Sequence, residues 1–176
     1  MTVQNQTART PRLPDWLRIA LIGRNFKFTL TRIVVLVVTC FVVFRFILLP
    51  IRIGEISMLP TYKERSVNLV NRLAYLRHEP QRGDVVAIRL AGIHLMYVKR
   101  IIGLPGETVA FVNGRVLIDG EVLDEPYEKF DCGWNLPPVK LGTNEYYVVG
   151  DNRIMPAKYH TKGVASRDRI VGKLLL

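Results

Sequence analysis

With 176 residues, 25 of them Lys or Arg against 15 Asp or Glu, the chain carries a formal net charge of +10, and its length allows one medium domain or a small domain plus an anchor. The charge raises nucleic acid as a partner, but much of the excess lies at the N-terminus, where Arg9, Arg12, Arg18, Arg24, Lys27 and Arg32 face the single acid Asp15. No basic stripe with interleaved aromatics follows, so anionic lipid is the expected partner and no nucleic acid is. The two cysteines, Cys40 and Cys132, form neither a C-x-x-C nor a Cys/His cluster, and no phosphate-binding loop occurs, so neither a disulfide nor any metal or nucleotide cofactor is expected.

Residues 1–32 read as a basic segment in which WLRIALIG, Trp16 to Gly23, lies along a membrane surface. The run IVVLVVTCFVVFRFILL, Ile33 to Leu49, follows with Arg45 as its sole charge. It is long enough to cross hydrocarbon at about 1.5 Å per residue, and Arg45 is close enough to its end to snorkel. Pro50 and Arg52 mark the exit, so the anchor is placed at 33–53. A cleavable signal peptide has a shorter apolar core and a small-x-small site after it, which this run lacks. The anchor is therefore expected to stay. By the positive-inside rule the N-terminus is cytoplasmic and residues 54–176 lie outside.

Past the anchor the period changes from helical to alternating. NLVNRLAYL, VVAIRL, HLMYVKRIIG, TVAFVNGRVLIDGEVL and EYYVVG are β-branched or aromatic runs broken by RGD, LPG, NGR, DGE and GDN, which supply turn residues. Asn-Gly and Asp-Gly in VNGRVLIDGEVL predict successive hairpins. The fold class expected is mostly β, a compact domain of coiled antiparallel sheets behind one transmembrane helix, with an extended loop from Pro126 to Gly142.

In GEISMLPTYKE, Ser57 stands four residues past the anchor. A hydroxyl nucleophile needs a base, an oxyanion donor and a site from which water is largely excluded. His78, His94 and His160 are the only histidines, and each reads as a surface or packing residue. Lysine is the other choice, and it works as a base only where burial in apolar surroundings favours the neutral amine. Lys99, in HLMYVKRIIGLPGE, has that setting: alternation puts it with Tyr97 and Ile101 on one face, and Val98 with Arg100 on the other.

SMLPT at 57–61, RGDVVAI at 82–88, YVKRIIGLPGE at 97–107 and GDNR at 150–153 occur in this order behind the anchor. Together they resemble the bacterial type I signal peptidases, membrane-bound Ser/Lys proteases of the leader peptidase family that remove signal peptides from exported proteins. The resemblance covers roughly residues 30–174. It implies that Ser57 is the nucleophile and Lys99 the general base, and that Met58 and Val98 line a pocket for small residues at −1 and −3 of the substrate. It further implies that Arg100, Gly150, Asp151 and Asn152 support the site. Signal-peptide-bearing preproteins are then the partners and the inner (plasma) membrane the location, crossed once.

Two positions depart from the pattern. Glu55 stands where many members have Ser or Gly, and is expected to point away from a developing oxyanion. After GDNR the chain reads IMPAKYHTKG, with Lys158 and His160 where an Asp and an Arg are usual. Arg100 thereby loses its expected carboxylate, with Asp151, Asp168 or Glu107 as replacements. Arg100 is also expected to lower the proton affinity of Lys99 by like-charge repulsion. Within this chemistry a dedicated maturation peptidase for one exported or conjugation protein fits equally well. Outside it stands a catalytically silent anchored module that binds signal peptides. A soluble Ser/Lys self-cleaving repressor is disfavoured by the span and by the lack of a DNA-binding helical part.

Overall fold

A computed structural model describes residues 26–91, 95–128, 132–160 and 163–175; the basic segment 1–25 and His94 lie outside them. Helix α1, Phe26–Val42, runs into a π-helical turn, Val43–Ile47. Lys27–Ile47, 21 residues, is long and apolar enough to cross a membrane, about 31 Å at 1.5 Å per residue. Its apolar side chains, Ile33 to Val38 among them, are exposed, as a lipid-facing helix requires. The helical stretch starts and ends earlier than the expected 33–53, because residues 48–52 are a strand. Pro50 sits inside that strand without cost, since the strand is an edge and a missing N–H there breaks no ladder bond.

The chain from Phe44 onward is a second compact unit. Its strands are β1 (Leu48–Arg52), β2 (Val67–Asn71), β3 (Val85–Ala91), β4 (Leu95–Gly103), β5 (Thr108–Val112), β6 (Arg115–Ile118), β7 (Glu121–Val122), β8 (Leu136–Lys140), β9 (Glu145–Val149), β10 (Val164–Ser166) and β11 (Ile170–Leu174). They form a seven-stranded sheet in the order β1-β2-β11-β3-β4-β9-β10 and a four-stranded sheet in the order β7-β6-β5-β8, with antiparallel pairing throughout. The mostly β class read from the sequence is what the chain adopts.

The two hairpin turns fall where the Asn-Gly and Asp-Gly pairs stand. Asn113 and Gly114 have φ of 48° and 81°, and Asp119 and Gly120 have 50° and 93°, the paired positive values that a two-residue hairpin turn matching strand twist demands. Two expected boundaries move. NLVNRLAYL is strand only to Asn71, because Asn71 Oδ1 accepts the Leu73 N–H at 3.0 Å and turns the chain. Within the expected loop 126–142, Leu136–Lys140 pairs with β5 as β8; its two prolines are tolerated because β8 is the sheet's edge.

Strand alternation divides the core. Val85, Ala87 and Val98 pack with Ile53, Met58, Tyr62 and Val70, whereas Val86, Ile88 and Ile101 pack with Tyr146 and Val148, Tyr97 lying against them. The partition of β4 between Val98 and the Tyr97/Ile101 pair is the one the alternation predicts. A third cluster, Phe111, Val116, Trp134, Leu141 and Tyr147 with their neighbours, involves the smaller sheet.

Candidate active site

The loop after β1 is pinned by backbone bonds from Ile53 N to Ser66 O at 3.0 Å and from Arg65 N to Ile53 O at 2.7 Å. Glu55 is extended, with φ −114° and ψ 148°, and Ile56–Met58 form one 3₁₀ turn. The turn is clamped from the segment after β9: Asn152 N donates to Ser57 O and Asn152 Nδ2 donates to Ile56 O, each at 3.0 Å. Gly150 is needed for that approach, since a Cβ on it would stand 2.2 Å from Ser57 O and 2.9 Å from His160 Cε1. Ser57 and Met58 are buried, and Met58 shares a core cluster with Val98. A cleft of about 380 Å³ opens beside them, lined by Gly54, Glu55, Ser57, Met58, Met96, Tyr97 and Val98.

Lys99, paired with Val86 across β3, is 6% exposed. Its Nζ has no hydrogen-bond partner among the described residues. Burial lowers its pKa from the usual lysine value, while the Glu55 carboxylate, foremost, and Asp151 pull it back up. Glu55 turns inward rather than away. Its Oε2 accepts from Ser57 Oγ at 3.2 Å and lies 3.7 Å from Lys99 Nζ, so hydroxyl and amine meet at one carboxylate oxygen. The extended backbone at 55 followed by a tight turn folds the side chain back onto the serine, a reversal that composition does not announce.

Of the three carboxylates open to Arg100, the structure selects Asp151. Arg100 Nε donates to Asp151 Oδ1 at 2.8 Å and NH2 to Oδ2 at 2.6 Å, and its third arm donates to Gly83 O at 2.8 Å. Glu107 is engaged by Arg82 at 2.6 Å instead, and the Asp168 carboxylate is held below its usual pKa by its neighbour Ser166. Thr61 Oγ1 also donates to Asp151, at 2.5 Å. Arg153, fully buried, donates from Nε to Gly150 O at 2.8 Å and from NH2 to Glu125 at 2.6 Å. Gly150 and Asn152 thus lie against the serine turn, and Asp151 between them holds Arg100 and Thr61.

His160 is a packing residue, one of the two readings open to it. It is buried against Trp134, ring centroids 4.7 Å apart, and its Nδ1 accepts the Gly150 N–H at 3.3 Å. Burial, with the Lys99 and Arg153 charges, lowers its pKa from 6.5 to about 4. A base held neutral by folding binds protons more readily in the unfolded chain, so stability present above pH 6.5 is lost as pH falls toward 4, by at most about 3 kcal/mol. Thermal melts should show His160→Phe with a shallower fall across that window than the wild type; equal slopes would assign the acid loss to other groups. His78 is exposed, with Nδ1 3.2 Å from Glu79 O, and no cluster of three or more metal-ligating side chains occurs among the described residues.

The N-terminal half of β4 has a further property. β9 pairs with β4 only from Arg100 to Gly103, so among the described residues Met96 to Lys99 have strand pairing on the β3 side alone. That leaves a free edge on the cleft, the geometry by which sheets take up an extended peptide. A cleft bordered by a strand edge, with a buried hydroxyl and a buried amine beside it, has room for an extended peptide next to a nucleophilic side chain.

Residues 26–176 match the family model described as signal peptidase, peptidase S26, and the chain belongs to that family. It is 39% identical over 132 residues to signal peptidase I S of Bacillus subtilis, covering 69% of this chain and 71% of that one. It is 32% identical over 123 residues to a probable signal peptidase I-2 of Synechocystis, covering 66% and 56%, and 33% identical over 128 residues to signal peptidase I of Leptolyngbya laminosa, covering 68% and 63%. The match thus spans about three fifths of the length of these last two curated relatives. A crystal structure of a signal peptidase I from Enterococcus faecalis is similar over 55% of this chain and 97% of that one, at 26% identity and a TM-score of 0.46.

Proposed function

We propose that this chain is a membrane-anchored serine endopeptidase that removes N-terminal signal peptides from exported preproteins, with Ser57 as nucleophile and Lys99 as general base. The observation that carries the reading is the meeting of Ser57 Oγ and Lys99 Nζ at one carboxylate oxygen beside a cleft that Met58, Met96 and Val98 border. Neutral Lys99 takes the hydroxyl proton as Oγ attacks the scissile carbonyl, and the backbone N–H of Ser57 is the donor for the oxyanion. The resulting ammonium gives its proton to the leaving amine, and water then hydrolyses the acyl-enzyme with Lys99 again as base.

The substrate lies as an added strand along Met96–Val98, and Met58 and Val98 narrow the cleft to small side chains at −1 and −3. No metal or nucleotide takes part. Residues 1–32 stay cytoplasmic and the span is single. The catalytic part, from about 54 on, works outside the inner membrane, close to lipid, where the cleavage site of a signal peptide emerges beyond its own apolar helix. Nearness there replaces diffusion.

The test is cleavage of a signal-bearing preprotein by the detergent-solubilised chain. Cutting is expected after Ala at −1, not after Phe, and Ser57→Ala should be inactive while folded. Cleavage by Ser57→Ala at the wild-type rate would remove the reading.

A further inference from the structure

Glu55 has no place in the mechanism above, yet its carboxylate occupies the point that the mechanism needs clear. One oxygen, Oε2, accepts from the Ser57 hydroxyl at 3.2 Å and faces the Lys99 ammonium at 3.7 Å. While it does so, the hydroxyl proton is aimed at a carboxylate and not at the amine that must take it, and the carboxylate favours the charged, non-basic form of that amine against the effect of burial. The side chain carrying this carboxylate is 63% exposed whereas that of Lys99 is 8%. The carboxylate can therefore leave toward solvent and the amine cannot. Glu55 also lines the cleft on which the peptide edge of β4 opens.

We infer that Glu55 is a resting-state latch, which engages Ser57 and Lys99 in the empty enzyme and is displaced by an extended peptide entering the cleft. The inference rests on the Ser/Lys reading. On displacement the Lys99 ammonium releases its proton to solvent and the Ser57 O–H turns to the freed amine. The attack on the carbonyl then proceeds as written above, and Glu55 forms and breaks no covalent bond. The other charged or titratable groups around Lys99 do not duplicate this contact. Asp151 acts on it electrostatically but is already engaged by Arg100 and Thr61, and His160, whose Nδ1 is bonded to the Gly150 N–H, is held neutral.

A latch that favours the charged amine moves the rising limb of kcat/KM to higher pH. Removing its charge should move that limb down. For Glu55→Gln and Glu55→Gly in the full chain in detergent, the expected result is a limb displaced by about one unit toward lower pH, hence roughly tenfold faster cleavage on the acidic side of the limb, with the high-pH plateau little changed. A second readout needs no turnover: the ¹³Cε resonance of Lys99, followed by NMR in both chains, should titrate at lower pH in Glu55→Gln. A limb and a resonance that stay in place, or move upward, overturn the latch. A loss of cleavage at every pH with the fold intact overturns it also, by making the carboxylate a participant. If neither chain cuts preproteins while the resonance still moves, the coupling stands and the peptidase reading falls.

Discussion

Lys99→Met is expected to reduce cleavage at least a thousandfold and, in the same chain, to raise the melting temperature at pH 7. The first half follows because methionine fills the volume but accepts no proton, and a hydroxyl without its base retains only what binding and the oxyanion donor supply. Lys99→Arg should be equally inactive, since a guanidinium stays charged. The second half follows from burial. The amine is withdrawn from water, has no hydrogen-bond partner among the described residues, and has its proton affinity depressed mainly by desolvation. Because the folded pKa lies below the ordinary lysine value, the unfolded chain binds the proton more readily throughout the interval between the two. Stability therefore falls as pH drops through that interval, and at neutral pH the chain folds against a cost that methionine removes. Replacing a buried ionic group by an apolar one of like volume is worth about 1–3 kcal/mol, or several degrees. Activity and stability would then move in opposite directions at one residue, as expected where a fold keeps an unfavourable group for its chemistry. A melting temperature that fell together with activity would show Lys99 to be a structural cation and would end its assignment as the base.

Why some of this was legible in the sequence, and some not, depends on the range of the interactions. The helix of α1, the two Asn-Gly and Asp-Gly hairpins and the alternation of β4 are dictated within a few residues, and each is found where local chemistry puts it, with the ends of the helix displaced by about two turns. The strand β1 was misjudged because Leu48–Arg52 continues the hydrophobicity of the span without a break, and only pairing with β2, from Arg52 with Val67 to Leu48 with Asn71, separates strand from helix. The prolines of β8 argue against a strand until the edge position is known. At the site, SMLPT and YVKRIIG announce Ser57 and Lys99 because the type and neighbours of each are distinctive. The partner of Arg100 was open among three acids, since a contact such as Arg100 with Asp151 spans 51 residues and leaves no local trace. Glu55 was misjudged for a related reason: rules for a charged residue give its average surroundings, and this one has uncommon ones.

The second large effect is expected at Asp151. Asp151→Ala should destabilise the β domain by about 3–5 kcal/mol, because it strands the buried Arg100 guanidinium without its carboxylate and takes an acceptor from Thr61. Removing both charges together, as Arg100→Met with Asp151→Leu, should cost much less than Asp151→Ala alone, which separates the penalty of an unpaired charge from the worth of the pair. The same pair corrects the electrostatic expectation at the neighbouring base. A like-charge push from Arg100 on Lys99 presumes a free guanidinium, but here the charge is paired with Asp151 through two hydrogen bonds, and what reaches Lys99 from this direction is the upward pull of the Asp151 carboxylate. Arg100→Gln unmasks that carboxylate, so the rising limb of kcat/KM should move to higher pH; in Asp151→Asn the guanidinium is unmasked instead, and the limb should move to lower pH. Opposite displacements in the two variants, measured on chains shown by circular dichroism to be folded, are the signature of a neutralised pair next to the base. Displacements of the same sign would mean that the variants act on the position of the serine turn through Asn152 and Gly150, and not on the charge that Lys99 senses.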